Sequence, residues 1–499
     1  MVFDTLFEES INLESFSSSL KRNYQAVTDF YEMSYRNQQE QQESIERFIL
    51  LRKKIISSYA YTDTQSRSFI LILLDFCERF SLYSCIPHIS KIISKNGIEV
   101  TKRMSAGMKT IIPKPTSNQD LVNRFDDICC LLTEAIDEEE DNDKQSIVTF
   151  LNYYDHLVIN TNQVCVQQIN EKIATAIDEQ KYPWISCITD ISDNNISDLE
   201  ALHQSIEDKI DSILERGTHP HIQSEPENLL IETDTDYSRE IASVPNRFLS
   251  IRQVNVNHAN GQLRGRGVNQ LATEDEMFEY IKRYGNMHYA KLMSAFENSF
   301  PQSFDDSFDL IDWGCGQALA TMSFIEKYGN SHINSITLIE PSEIVIRRAA
   351  LHCRKFAPNV RIYTICKELD EVKAEDFQLS SDVRIHLFSN ILDIDDYRVS
   401  HLTSVVEKLL SSDDYFVCVS PYINDIKSAK IHSFLDHFSG MPSYRLYHDK
   451  ENTKQGAFWA CNQNFGNKHT IHGNGFGCLD YDRDGCSNKW TRVLKVFSV

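Results

Sequence analysis

The stretch from Phe308 to Ser342 limits the fold more than any other part of the chain. Phe308-Asp309-Leu310-Ile311-Asp312 has the length and apolar content of a buried strand. It breaks at Trp313-Gly314-Cys315-Gly316-Gln317-Ala318, and a helical stretch follows from about Leu319 to Tyr328. A second strand, Ser335 to Ile339, ends at Glu340-Pro341-Ser342. Strand, glycine turn, helix and strand in this order predict a parallel sheet covered by helices. Gly314 and Gly316 let the backbone turn sharply and let a ligand approach without a Cβ in the way. The free amides at the start of the next helix face that ligand.

The alternation continues. A third strand, Val360 to Ile365, ends at Cys366-Lys367-Glu368. A fourth, Val383 to Phe388, runs into Ser389-Asn390-Ile391-Leu392-Asp393 and a helix over 397–410. The fifth is Tyr415 to Val419, and the β-rich terminus WTRVLKVFSV pairs with an apolar run at Ala457 to Cys461 as an antiparallel hairpin. Upstream, Thr273 and Glu276 form a capping box for a helix through Phe278, Ile281 and Tyr284, and a second helix covers Met287 to Phe296. Tyr284, Gly285 and His288, between these helices, either close over the ligand or belong to the core.

The segment IDWGCGQA resembles motif I of class I S-adenosylmethionine-dependent methyltransferases, and LIEPS resembles their motif II. The resemblance implies an α/β Rossmann-like domain with a seven-stranded, mostly parallel sheet and S-adenosyl-L-methionine as cofactor. It implies that Asp312, Gly314, Cys315 and Gly316 line the amino-acid end of the cofactor. Glu340, 24 residues beyond Gly316, would hold its ribose, with Pro341 beside it. Lys367 and Glu368 would lie near the adenine, and Ser389 would join the cofactor set. The usual final glycine of the motif is Ala318 here. A dinucleotide is disfavoured by the acid before the first glycine, by G-x-G-x-A spacing in place of G-x-G-x-x-G, and by the terminal hairpin.

Ligands of open α/β sheets lie outside the carboxyl ends of the strands, which puts Ser389 and Asn390 where a methyl group is presented. These two and Asp393 are the candidate catalytic residues. Asp393 would be a base or clamp; alternatively Asn390 only shapes the turn and Asp393 only caps the following helix. Ser420-Pro421-Tyr422 is similar to an amino-methyltransferase motif but follows strand five and has one proline, so it reads as a turn. Asp480-x-Asp482-x-Asp484-Gly485 echoes a calcium loop but has Thr491 at position twelve, and His469, His472, Cys478 and Cys486 match no zinc spacing, so no metal is expected.

The rest of the chain reads as a helical N-terminal domain over 1–216, a linker over 217–246, a basic connecting segment over 247–272 and the methyltransferase-like domain over 273–499. Candidate helices in the first half are Gln39–Ala60, Ser66–Phe80, Gln119–Ile136, Ser146–Glu179 and Ser197–Arg216, the last with a capping box of Ser197 and Glu200; the acidic run 137–143 is a loop. Residues 1–250 carry 23 Lys+Arg against 41 Asp+Glu, a balance of −18, whereas 251–499 carry 27 against 31, or −4. The acidic half is a poor partner for a phosphate backbone and a candidate protein-contact module. Arg247, Arg252, Arg264 and Arg266 form either a solvated basic approach to the next domain or a contact strip for an anionic substrate such as RNA. The acidic start and the lack of a long apolar run predict a cytoplasmic protein without a membrane segment. Thirteen scattered cysteines without a C-x-x-C pair read as buried thiols. The expected function is methyl transfer to an unidentified acceptor, RNA or protein. The alternative is a non-catalytic cofactor-binding interaction or sensor protein with a helical partner module.

Overall fold

The computed structural model describes residues 2–33, 35–137, 143–189, 198–214, 235–260, 263, 270–296, 306–395, 397–453, 481–482, 485–486 and 491–499. They form two compact units, Met1–Thr218 with Asn424–Ala429, and His219–Ile423 with Lys430–Val499.

The described residues of the first unit up to position 214 are helical apart from their connections. Stretches whose periodicity suggests one long helix are divided. Arg52 separates Gln42–Leu51 from Lys53–Ser58, and its guanidinium donates to the Phe7 carbonyl. Asn162 separates Asp143–Asn160 from Gln163–Asp178 by accepting from the Cys165 amide as an N-cap. Asp198 accepts from the amides of Glu200 and Ala201 at the start of Leu199–Leu214, while Ser197 and residues 138–142 lie outside the described residues. Side-chain caps and turns of this kind interrupt a helix without disturbing the spacing of its apolar residues.

The second unit is built on a seven-stranded sheet of order β3-β2-β1-β4-β5-β9-β6. Its strands are β1 (Phe308–Trp313), β2 (Ile333–Ile339), β3 (Arg361–Ile365), β4 (Val383–Ser389), β5 (Asp413–Ser420), β6 (Arg445–Asn452) and β9 (Arg492–Ser498). The pairs β7 (Tyr481–Asp482) and β8 (Gly485–Cys486) form a separate short ladder. The first five strands are parallel; β9 runs antiparallel between β5 and β6. The expected Ala457–Cys461 strand lies outside the described residues. The partner of β9 is instead RLYHDKEN, an edge strand too polar for apolar alternation to reveal.

Helices of this unit, numbered from its start, are α1 (Thr235–Ser243), α2 (Phe248–His258), α3 (Glu274–Phe296), α4 (Leu319–Tyr328), α5 (Glu343–Phe356), α6 (Val399–Leu409) and, from Lys430 onward, α7 (Asp425–Ser439). Two-residue alternation sends Leu310 to one face of the sheet and Ile311 and Trp313 to the other. The expected linker and basic segment are corrected here. α1 and α2 bury Tyr237, Ile241, Phe248 and Ile251 in the core that contains Leu310. Arg252 is 3% exposed and donates to the Lys282 carbonyl, so it is no part of a solvent-facing strip; Arg264 and Arg266 lie outside the described residues. The expected pair of helices over 273–296 is a single helix, α3. Gly285 does not break it, because the phenyl ring of Phe248 packs where its Cβ would be, 3.0 Å from Cζ.

A polar chain crosses the buried middle of the sheet. Trp313 Nε1 donates to His386 Nδ1 at 3.2 Å, and His386 Nε2 faces Asp414 Oδ1 at 3.1 Å. An indole can only donate, so Nδ1 accepts and the ring proton sits on Nε2, where it donates to Asp414. All three side chains are within 0% exposed, and the chain ties β1, β4 and β5 together. Replacing His386 with Leu orphans the indole N–H and takes the His386 donor from Asp414 Oδ1, while Oδ2 keeps the Ser411 amide and hydroxyl, so we expect a loss of about 3 kcal/mol in urea unfolding of the full chain followed by tryptophan fluorescence.

Candidate functional site

The carboxyl ends of β1, β2 and β4 meet at one edge of the sheet, with β1 between the other two. After β1 the backbone takes left-handed conformations at Gly314 (φ 58°), Gly316 (φ 50°) and Ala318 (φ 61°), the last being the N-cap of α4. This conformation costs an L-residue about 1–2 kcal/mol and glycine almost nothing. Ala318 therefore bears strain at the position where the resembling motif has glycine. The two glycines serve different ends. A Cβ on Gly314 would lie 2.3 Å from Ile391 Cδ1, so that glycine admits the loop after β4. A Cβ on Gly316 would meet nothing within 4 Å, so that glycine borders open space.

Two carboxyls flank this turn. Asp312 is 1% exposed; its Oδ2 accepts from the amide and the hydroxyl of Thr321 in the first turn of α4, at 3.2 and 2.7 Å. Its Oδ1 is buried without a hydrogen-bond partner. Burial pushes its pKa up to about 7 against the pull of the Thr321 bonds. Glu340 spans the gap between strands: Oε2 accepts from the Gly316 amide and Oε1 from the Ser342 amide, each at 3.2 Å. Burial raises it to about 7 as well, opposed by those two amides and helped by the charge of Asp312, although part of the side chain stays open to solvent. Each Glu340 oxygen keeps a lone pair for a further donor.

The other expected residues fall as follows. Cys315 is buried, its amide bonded to the Ile339 carbonyl. The Pro341 carbonyl accepts from the Cys366 thiol. Lys367 is drawn to Asp376 at 2.6 Å, and Glu368 accepts from Gln270 at 3.3 Å. Ser389 and Asn390 stand half-buried at the tip of β4, and Asn390 is left-handed with φ 58°. Asp393 is 2% exposed; Asp370 accepts from the amide of Arg398, the N-cap residue of α6, at 2.8 Å. His288 is a core residue, 8% exposed and stacked on Tyr284; burial, then the charge of Lys291, holds its pKa far below the ordinary value. The thiols of Cys315, Cys353, Cys366 and Cys418 in this unit are free, and no metal-binding cluster occurs among the described residues. No helix among those residues is long and apolar enough to cross a membrane. Of the calcium-like and His/Cys sets, His469, His472, Cys478, Asp480 and Asp484 lie outside the described residues.

Several residues given no role in the sequence join the site. Gln317 donates from Nε2 to the Met277 carbonyl and leaves Oε1 buried without a partner. The Leu271 carbonyl accepts from the Ser342 hydroxyl, which brings the segment before α3 against the end of β2. Lys291 of α3 is 0% exposed and donates to Asn390 Oδ1 at 2.8 Å. The signal for Lys291 was a lysine inside an otherwise apolar helical stretch.

No protein-family model and no curated protein matches the chain. Solved structures similar to it include the plantazolicin methyltransferase BpumL in complex with SAH, at 14% identity over 52% of this chain and 93% of that one, with a TM-score of 0.26. A geranyl diphosphate methyltransferase in complex with GPP and sinefungin is similar at 11% identity over 53% and 99%, with a TM-score of 0.27. A TehB-like SAM-dependent methyltransferase from Corynebacterium glutamicum is similar at 12% identity over 45% and 98%, with a TM-score of 0.27.

The two glycines separate in a stability measurement. Gly314→Ala adds a collision with Ile391 to the backbone strain and should cost about 2–4 kcal/mol. Gly316→Ala meets only the strain and should cost about 1 kcal/mol. Urea midpoints of the two full-length variants check the difference.

Proposed function

We propose that the chain is an S-adenosyl-L-methionine-dependent methyltransferase whose cofactor lies across the turn after β1. The observation that carries this reading is Glu340, held between the Gly316 and Ser342 amides while Gly316 borders open space. The ribose hydroxyls and α-ammonium of the cofactor are donors, and this edge offers acceptors: Glu340, and the unpartnered Oδ1 of Asp312. When bound, S-adenosyl-L-methionine supplies an electrophilic methyl group on a sulfonium. Glu340 orients the ribose; Asp312 holds α4 and offers its free oxygen to the amino-acid end. Ser389 and Asn390, at the tip of the neighbouring strand β4, stand on the acceptor side. Aligning two reactants in this way contributes several kcal/mol without a side-chain nucleophile.

A protein acceptor accords with the −18 balance of residues 1–250 better than RNA does, because like charge repels a phosphate backbone. Arg252, one of the four expected RNA contacts, is also buried.

Titration calorimetry of the cofactor into the full chain should give micromolar binding, about −8 kcal/mol. Glu340→Gln should weaken it at least about tenfold at pH 8, by removing a charged acceptor of two hydroxyls. A folded full chain that binds no cofactor overturns the reading. The acid near 7 also sets a pH dependence. Its ionised fraction rises about tenfold from pH 6 to pH 8, so binding should tighten by about that factor, with a smaller slope in Glu340→Gln. The sign reverses for the unliganded fold. Native Glu340 and Asp312 hold protons that the unfolded chain releases, so stability falls as pH rises from the ordinary carboxyl range through 7.

A further inference from the structure

We propose that the methyl acceptor is a carboxylate, bound by hydrogen-bond donors at the tip of β4; this rests on the methyl-transfer reading above. Lys291, Asn390 and Ser389 form one directed chain. Lys291 Nζ lies 2.8 Å from Asn390 Oδ1, and Asn390 Nδ2 lies 2.9 Å from Ser389 Oγ. An ammonium has no lone pair, so the oxygen of the amide must face Lys291 and its nitrogen must face Ser389. Ser389 Oγ receives that N–H and keeps its own O–H to donate elsewhere. Half-buried Asn390 and Ser389 thus present one N–H and one O–H, backed by a buried cation.

An amine or alcohol acceptor loses a proton during methylation and needs an oxygen or imidazole to receive it. The side-chain oxygen of Asn390 is engaged by Lys291. Among the described residues, the carboxyl of Asp393 is 2% exposed, and His288, the imidazole of α3, is buried. A carboxylate needs no such base. One of its oxygens forms the new bond to the methyl carbon while the carbon–sulfur bond breaks. The bonding pair stays on sulfur, the sulfonium becomes a neutral thioether, the product is a neutral ester, and no proton moves. The other oxygen accepts from Ser389 and Asn390. Arg492 donates to Ser294 Oγ at 2.6 Å, and the Ser294 hydroxyl bonds the Lys291 carbonyl, which braces the turn of α3 that carries Lys291.

The test uses the full chain loaded with S-adenosylhomocysteine, whose binding is measured first. Failure of that step strikes the methyl-transfer reading itself. With it in place, saturation-transfer NMR compares benzoate, benzylamine and an acetylated trialanine with a free carboxyl terminus. We expect benzoate or the peptide to bind and benzylamine not to, the tighter of the two carboxylates showing whether a small molecule or a polypeptide carries the group. Lys291→Met should weaken carboxylate binding at least tenfold with S-adenosylhomocysteine binding kept, and Lys291→Arg should restore part of it. If Lys291→Met does not fold, Asn390→Asp reverses the donor set and should exchange benzoate for benzylamine. Equal or tighter binding of benzylamine by the native chain, no carboxylate binding, or carboxylate binding untouched by these substitutions overturns the proposal.

Discussion

The site depends on a backbone that turns left-handed three times within five residues, at Gly314, Gly316 and Ala318. That turn ends β1 and starts α4, and it points the Gly316 amide at Glu340 on the next strand. Ordinary residues would pay up to about 2 kcal/mol at each such position. The chain meets most of this with glycine and the rest by packing, since Ala318 is 0% exposed in the core between the sheet and its helices. Ile391 then fills the space beside Gly314, which couples the ends of β1 and β4.

Around this turn the protein buries ionisable groups that a stable core would omit. Asp312 and Glu340 are both driven up to about 7 by burial, and Lys291 is fully enclosed. Desolvating charge is costly unless a partner compensates. The partners of Asp312 and Glu340 are amides and a hydroxyl, and Asp312 Oδ1 has none. By contrast, the Trp313–His386–Asp414 chain behind the site uses the donors and acceptors it brings together and reads as structure. Asp312 and Trp313 are neighbours at the end of β1, and two-residue alternation sends the incompletely satisfied carboxyl to one face of the sheet and the matched indole to the other.

Local pattern carried much of this into the sequence. The strand–turn–helix of 308–328 and the acid at Glu340 are contiguous or nearly so, and their spacing reflects backbone geometry that short segments impose on themselves. α3 was legible as helix but not as one helix, because Gly285 reads as a break until Phe248 from α2 is seen occupying its missing side chain. α1 and α2 were hidden because the prolines around them signal a linker, while their burial comes from α3, α4 and α5, which follow later in the chain. β6 was hidden because an edge strand facing water has no apolar alternation to display.

The sequence by itself determined the parallel sheet, the glycine turn and the acid that closes it, since each follows from residue type at short range. Tertiary structure alone decided how the polar groups pair. Lys291 and Asn390 lie 99 residues apart, and nothing local relates them. Their bond sets which way the Asn390 amide faces, and with it whether the edge of the sheet offers donors or acceptors. That choice depends on the packing of α3 across the sheet, because a hydrogen bond is directional and short, and only the folded chain brings its two ends within reach.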